Sequence, residues 1–167
     1  MIKNNMKYNL SLQNPYDYSN APNLFKVQRW VNTTLNGLIN NAETTIRIVN
    51  EKDMVDLNSQ YRNKNSTTNV LSFPSNLPEM VQNELTHKFI GDIIICHEVV
   101  CKEAREQQKK LEAHYAHLII HGILHLLGYD HIKSEDAEIM EPLEINILAK
   151  LGYNNPYEPY DDTYCSK

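Results

Sequence analysis

Three histidines fall within eleven residues, His121-Gly122-Ile123-Leu124-His125-Leu126-Leu127-Gly128-Tyr129-Asp130-His131, and histidine is the commonest metal-ligating side chain. His121 and His125 are four residues apart, so a helix stacks them on one face within reach of a single ion. Gly128 follows an apolar run and suits the left-handed conformation that ends a helix, and a chain turned there can bring His131 back to the first two. His117 shares the face, but at about 1.5 Å rise per residue it lies roughly 12 Å from His125 along the axis, too far for one ion to bind both. Zinc–nitrogen bonds of about 2.0–2.1 Å demand convergent ligands. The ligand set predicted is therefore His121, His125 and His131 around one zinc ion.

Three neutral nitrogens leave the fourth tetrahedral position to water. Structural zinc is usually closed by four protein ligands, whereas an open position brings the pKa of the water down to about 7 and points to hydrolysis. The spacing also agrees with the H-E-x-x-H-x-x-G-x-x-H pattern of metzincin peptidases, in which the glutamate beside the first histidine is the general base. Gly122 stands at that place here. A peptidase without its base is badly impaired, so a metzincin-like metallopeptidase is the alternative reading and hydrolysis of another bond the leading one.

A second candidate group is Arg62-Asn63-Lys64-Asn65-Ser66-Thr67-Thr68-Asn69, read as a polar loop carrying two cations. The planar arginine fork matches phosphate oxygens, and a cation beside a metal would stabilise the charge that develops in phosphodiester cleavage. The residues alone leave Arg62 open between this role and that of a solvated surface cation.

The elements that must position these groups follow from periodicity. Alternation predicts strands over Tyr8–Gln13 and Thr44–Val49, and over Val70–Phe73, stopped by Pro74. The near-continuous apolar run Phe89–Cys96 reads as a central strand covered on both faces. Apolar spacing of three and four predicts helices over Pro22–Ile39, with Trp30 in the core, and over Glu51–Tyr61, capped by Asn50. Further helices are expected over His97–Lys110, Glu112–Leu127 and Ser134–Leu151, with Pro142 breaking or kinking the last after Glu141. Ser75–Lys88 has weak periodicity and reads as an irregular insertion. The expected fold class is α+β: one domain over residues 1–152, a small mixed sheet packed with helices and a zinc site at the end of a central helix, followed by an exposed flexible tail over 153–167.

Composition narrows the function. At 167 residues, with 41% hydrophobic and 22% charged residues, the chain suffices for one cored domain. A net charge of −5 argues against a surface built throughout for nucleic acid, so RNA contact needs a local patch and should be weak and salt-sensitive. Cys96, Cys101 and Cys165 form no C-x-x-C pair, which suits a reducing cytosol. The first residues hold no apolar signal core, and the run Leu118–Leu127 is interrupted by two histidines; neither secretion nor a membrane span is expected.

His121-Gly122 through Tyr129-Asp130-His131, with Tyr61-Arg62-x-Lys64, Thr68-Asn69-Val70-Leu71-Ser72-Phe73-Pro74 and Gly91-Asp92-Ile93, closely resembles the YbeY family of bacterial endoribonucleases over roughly Leu57 to Leu151. The resemblance implies a single-domain, zinc-dependent endoribonuclease specific for single-stranded RNA. It implies work in rRNA maturation, notably at the 3′ end of 16S rRNA, and in ribosome quality control, with the ribosome or its proteins as partners. The family's ligands carry over to His121, His125 and His131, and its functional arginine to Arg62, for phosphate handling or transition-state stabilisation. Asn69 stands where many members have aspartate. His117, one turn before His121, is either a partner of the ligands or packed and inert. The rival from another class is a non-catalytic ribosome-associated factor with structural zinc.

Overall fold

The computed structural model describes residues 6–129 and 134–159, with backbone alone for 134–137. In it the chain runs β1 (Tyr8–Gln13), α1 (Leu24–Leu35), β2 (Ala42–Val49), α2 (Glu51–Arg62), β3 (Val70–Pro74), α3 (Glu79–Glu84), β4 (Phe89–Cys96), α4 (His97–Glu106), α5 (Leu111–Leu126) and α6 (Ser134–Lys150). The sheet order is β1-β2-β4-β3; β1, β2 and β4 are parallel, and β3 is an antiparallel edge strand. The expected α+β fold with a mixed sheet is what forms.

β4 is interior, which accounts for its apolarity. Ile93 and Ile95 join the main core with Val27, Trp30 and Val31 of α1 and Ile119, Ile120 and Ile123 of α5. Cys96 belongs to a smaller cluster on the other side with Val49, Met54 and Leu71. Trp30 is in the core as expected.

Local chemistry sets the boundaries. Asn23 caps α1, its side chain accepting from Lys26 N at 2.9 Å, so the helix starts after Pro22 rather than at it. Asn50 caps α2 as predicted, accepting from Asp53 N at 2.8 Å. α2 runs one residue further than its apolar spacing suggests, because Asn63 takes the left-handed C-cap (φ 54°). Arg62 is thus the last residue of a helix and not part of a loop. Within the expected irregular insertion, α3 forms one short helical segment after Pro78. Gln82 anchors it by donating to Phe89 O at 2.8 Å and accepting from Phe89 N at 3.0 Å, pairings a periodicity search cannot see. Pro142 does not break α6, which continues to Lys150. Losing the proline amide and relieving its ring clash costs a helix about 3 kcal/mol. The buried side chains of Met140, Ile147, Leu148 and Leu151 offset that by packing against the core.

One irregularity in the sheet seats the end of α5. Glu43 pairs with Phe89 but Thr44 with Gly91, leaving Ile90 as an extra residue in β4. Gly91 has φ +139°, and a Cβ there would sit 2.2 Å from the Phe73 carbonyl and 2.8 Å from Leu126 Cδ2. Only glycine allows β3, β4 and the last residue of α5 to meet. Gly91→Ala is expected to destabilise the fold by about 3 kcal/mol or more, read as a lower urea midpoint with an unchanged slope.

Candidate active site

α5 is buried on most sides, and its C-terminus closes on a Schellman turn: Tyr129 N donates to Leu124 O and Gly128 N to His125 O, both at 3.0 Å, with Gly128 at φ +99°. The left-handed helix stop expected at Gly128 is therefore built. On the half-buried edge of the helix, His121 Nε2 and His125 Nε2 approach to 3.0 Å. Two imidazole nitrogens that close must have a hydrogen, donated by one ring to the other, or a metal ion between them, because two lone pairs would repel. His131 lies outside the described residues.

The other side of the His121 ring faces a carboxylate for which the histidine spacing gives no hint. Glu144 of α6 has no solvent exposure, and His121 Nδ1 donates to its Oε1 at 2.6 Å. His117 Nε2 donates to Oε2 at 2.9 Å, and the Tyr157 hydroxyl donates to the same oxygen at 2.5 Å. Burial alone would push the Glu144 carboxyl up, but the bonds from His117, His121 and Tyr157 outweigh it and hold the group down at about 2. His117 is thus a partner of the site and not inert. A signal for Glu144 does exist in the sequence: with Met140, Ile147, Leu148 and Leu151 it completes the buried stripe of α6, and a carboxylate on an apolar stripe must have donors waiting.

His117, His121 and Glu144 bring one ligand atom each within 4.8 Å of one another, a group that could hold a metal ion. This group and the predicted set share His121. With Nδ1–H given to Glu144, the lone pair of a neutral His121 is on Nε2, toward His125.

Arg62 reaches the same region from α2. Its Nη2 donates to Ser72 O of the edge strand at 3.0 Å, and its guanidinium lies 5.2 Å from the centre of the Phe73 ring. Tyr61, more than half exposed, meets Phe73 edge-on at 5.5 Å. Ser72 Oγ in turn donates to Gly122 O at 3.4 Å, so the strand that holds Arg62 abuts the helix that carries the histidines. A Cβ on Gly122 would lie 3.1 Å from Ile93 Cδ1 and 3.2 Å from Ser72 Oγ. Position 122 faces the sheet at close quarters, and a larger side chain there would require Ile93 and Ser72 to give way. Asn69, just before β3, donates to Glu103 Oε1 and Oε2 at 3.0 and 3.3 Å, while His114 Nε2 contacts Glu103 Oε1 at 3.0 Å. The amide in place of aspartate spares Glu103 a second carboxylate.

The family model described as Endoribonuclease YbeY matches residues 13–152. The chain belongs to the YbeY family. The family match takes in Arg62, the whole histidine run and Glu144, and ends before Tyr157. An endoribonuclease YbeY of Xanthomonas axonopodis pv. citri is 43% identical over 157 residues, covering 94% of this chain and 98% of the relative. One from Xylella fastidiosa is 50% identical over 136 residues, covering 81% and 84%. The solution structure of TM1509 from Thermotoga maritima has the same fold, with a TM-score of 0.56 at 23% identity over 89% of this chain and 99% of that one.

The depressed Glu144 carboxyl makes a prediction about acid stability. A group held at about 2 in the folded protein and near its ordinary 4.5 when unfolded stabilises the fold fully above the unfolded value, and that stabilisation is lost as pH falls toward the folded one. In metal-free protein the unfolding free energy should therefore contain a component on the order of 3 kcal/mol that disappears between about pH 5 and pH 2. Urea titrations across that range should show the component in the parent protein and not in Glu144→Gln.

Proposed function

We propose that this chain is a metal-dependent endoribonuclease that hydrolyses phosphodiester bonds of single-stranded RNA, using one zinc ion held by His121, His125 and His131. The observation that carries the reading is the 3.0 Å approach of the His121 and His125 Nε2 atoms on a helix whose His121 Nδ1–H is committed to buried Glu144. Those residues fit a metal ion, since each ring presents its nitrogen to the same point. When bound, the ion supplies Lewis acidity toward a phosphate oxygen or a water.

The side chains account for the rest. Glu144 sets the tautomer and direction of His121, and its negative charge raises the basicity of that ligand. Arg62, held by Ser72 O and Phe73, keeps N–H donors of its fork for a phosphate and stabilises the charge that builds up on it during cleavage. The exposed Tyr61 ring beside Phe73 and Arg62 offers a surface on which an unpaired base can stack, which favours single strands over duplexes. Gly122, standing where a metzincin peptidase carries its glutamate base, favours RNA over a peptide.

In this reading the protein acts in the cytoplasm in 16S rRNA 3′-end maturation and ribosome quality control, through one catalytic unit over residues 1–152. With a net charge of −5, its hold on bare RNA is weak and salt-sensitive, and ribosomal proteins deliver it to its substrate. Among the described residues no helix is long and apolar enough to cross a membrane.

Two outcomes test the chemistry. Arg62→Ala should slow cleavage of a single-stranded RNA oligonucleotide by about a hundredfold or more, with an unchanged melting temperature and zinc content; undiminished cleavage would remove Arg62 from the site. Chelation should abolish cleavage while circular dichroism reports a folded protein. Loss of the fold on chelation would support a structural zinc and the non-catalytic alternative.

A further inference from the structure

The segment after α6 carries a residue that acts on the histidine site from outside. α6 ends in a second Schellman turn, with Gly152 at φ +88°, Gly152 N donating to Ala149 O at 3.1 Å and Tyr153 N to Leu148 O at 2.9 Å. The turn sends the chain back along the body instead of into solvent. Tyr153 then packs edge-on against Trp30 with ring centres 6.2 Å apart, and Lys109 Nζ donates to Pro156 O at 2.8 Å. The Asn155 side chain accepts from Tyr157 N at 2.9 Å and fixes the last bend. These ties deliver the Tyr157 hydroxyl to Glu144 Oε2 at 2.5 Å, with its ring edge-on to His117 at 5.4 Å. Burial, reinforced by the Glu144 charge, pushes the Tyr157 phenol upward, so it remains a proton donor.

We propose that Tyr157 is a positioning residue for the metal site, acting on His121 through Glu144. A buried carboxylate keeps its charge and its place only while its lone pairs are occupied. Oε1 is occupied by His121, and Oε2 is shared between His117 and Tyr157. Without the phenol proton, Oε2 keeps His117 as its donor; the carboxylate is less firmly seated, and the ring it aims toward His125 is less well oriented. Partners of this kind, one bond removed from a ligand, typically change metal affinity by about 10–100-fold when lost, and Tyr157 is one step further out, so about tenfold is expected.

This inference rests on the reading that His121 holds the metal, and the experiment separates the two. Zinc affinity of the full chain is measured by competition with a chromophoric chelator, for the parent, Tyr157→Phe, Lys109→Met and His121→Ala, alongside the melting temperature of each metal-free protein. Tyr157→Phe keeps the ring against His117 and removes only the donor; it should bind zinc about tenfold more weakly, with the absorption bands of a bound cobalt ion displaced. Lys109→Met, which frees the Pro156 carbonyl, should weaken binding in the same direction by a smaller factor. His121→Ala should abolish binding. Zinc affinity and cobalt bands in Tyr157→Phe equal to the parent's would overturn the positioning role, as would a lower melting temperature with unchanged affinity, which marks a merely structural contact. Unchanged affinity in His121→Ala would instead remove the metal reading on which the inference stands.

Discussion

A carboxylate without access to water survives in a protein interior only if donors surround it, and Glu144 meets that condition with His117, His121 and Tyr157. This constraint ties together three parts of the chain. α5 must present His117 and His121 one turn apart, α6 must cross it with Glu144 inward, and the segment beyond Gly152 must fold back far enough for Tyr157 to reach. The same carboxylate fixes the proton of His121 on Nδ1 and so turns its remaining lone pair toward His125. Folding and site chemistry share one group.

The edge strand makes the second connection. β3 is short and antiparallel, with Ser72 O accepting from Arg62 and Ser72 Oγ touching the backbone of α5 at Gly122. An arginine at the end of one helix and histidines on another are thereby linked through a single strand. Gly122 packs closely on Ile93 and Ser72 at this junction. A glycine that reads in the sequence as a missing catalytic group also lets the helix lie close on the sheet.

Local signals carried much of the fold. The strands, the long helices, the caps at Asn50 and Gly128 and the central place of β4 were legible because each rests on neighbours within a few residues: side-chain alternation, a capping oxygen, a glycine in a left-handed turn. Expectations failed where something outside the apolar pattern decided. α3 is held by Gln82 on the first residue of β4, α6 continues through Pro142 because a buried stripe supports it, and Arg62 joins α2 because Asn63 caps it.

At the site, the sequence by itself determined that His121 and His125 share one helical face, through their four-residue spacing, and that the helical rise separates His117 from His125. The Tyr-Arg-x-Lys and histidine blocks pointed to the family to which the chain belongs. Only the tertiary structure decided what lies behind those histidines. Glu144 and Tyr157 are 23 and 36 residues beyond His121, and no period links residues on different elements. Their meeting is set by how α6 crosses α5 and where the chain turns at Gly152, both consequences of packing over the whole core.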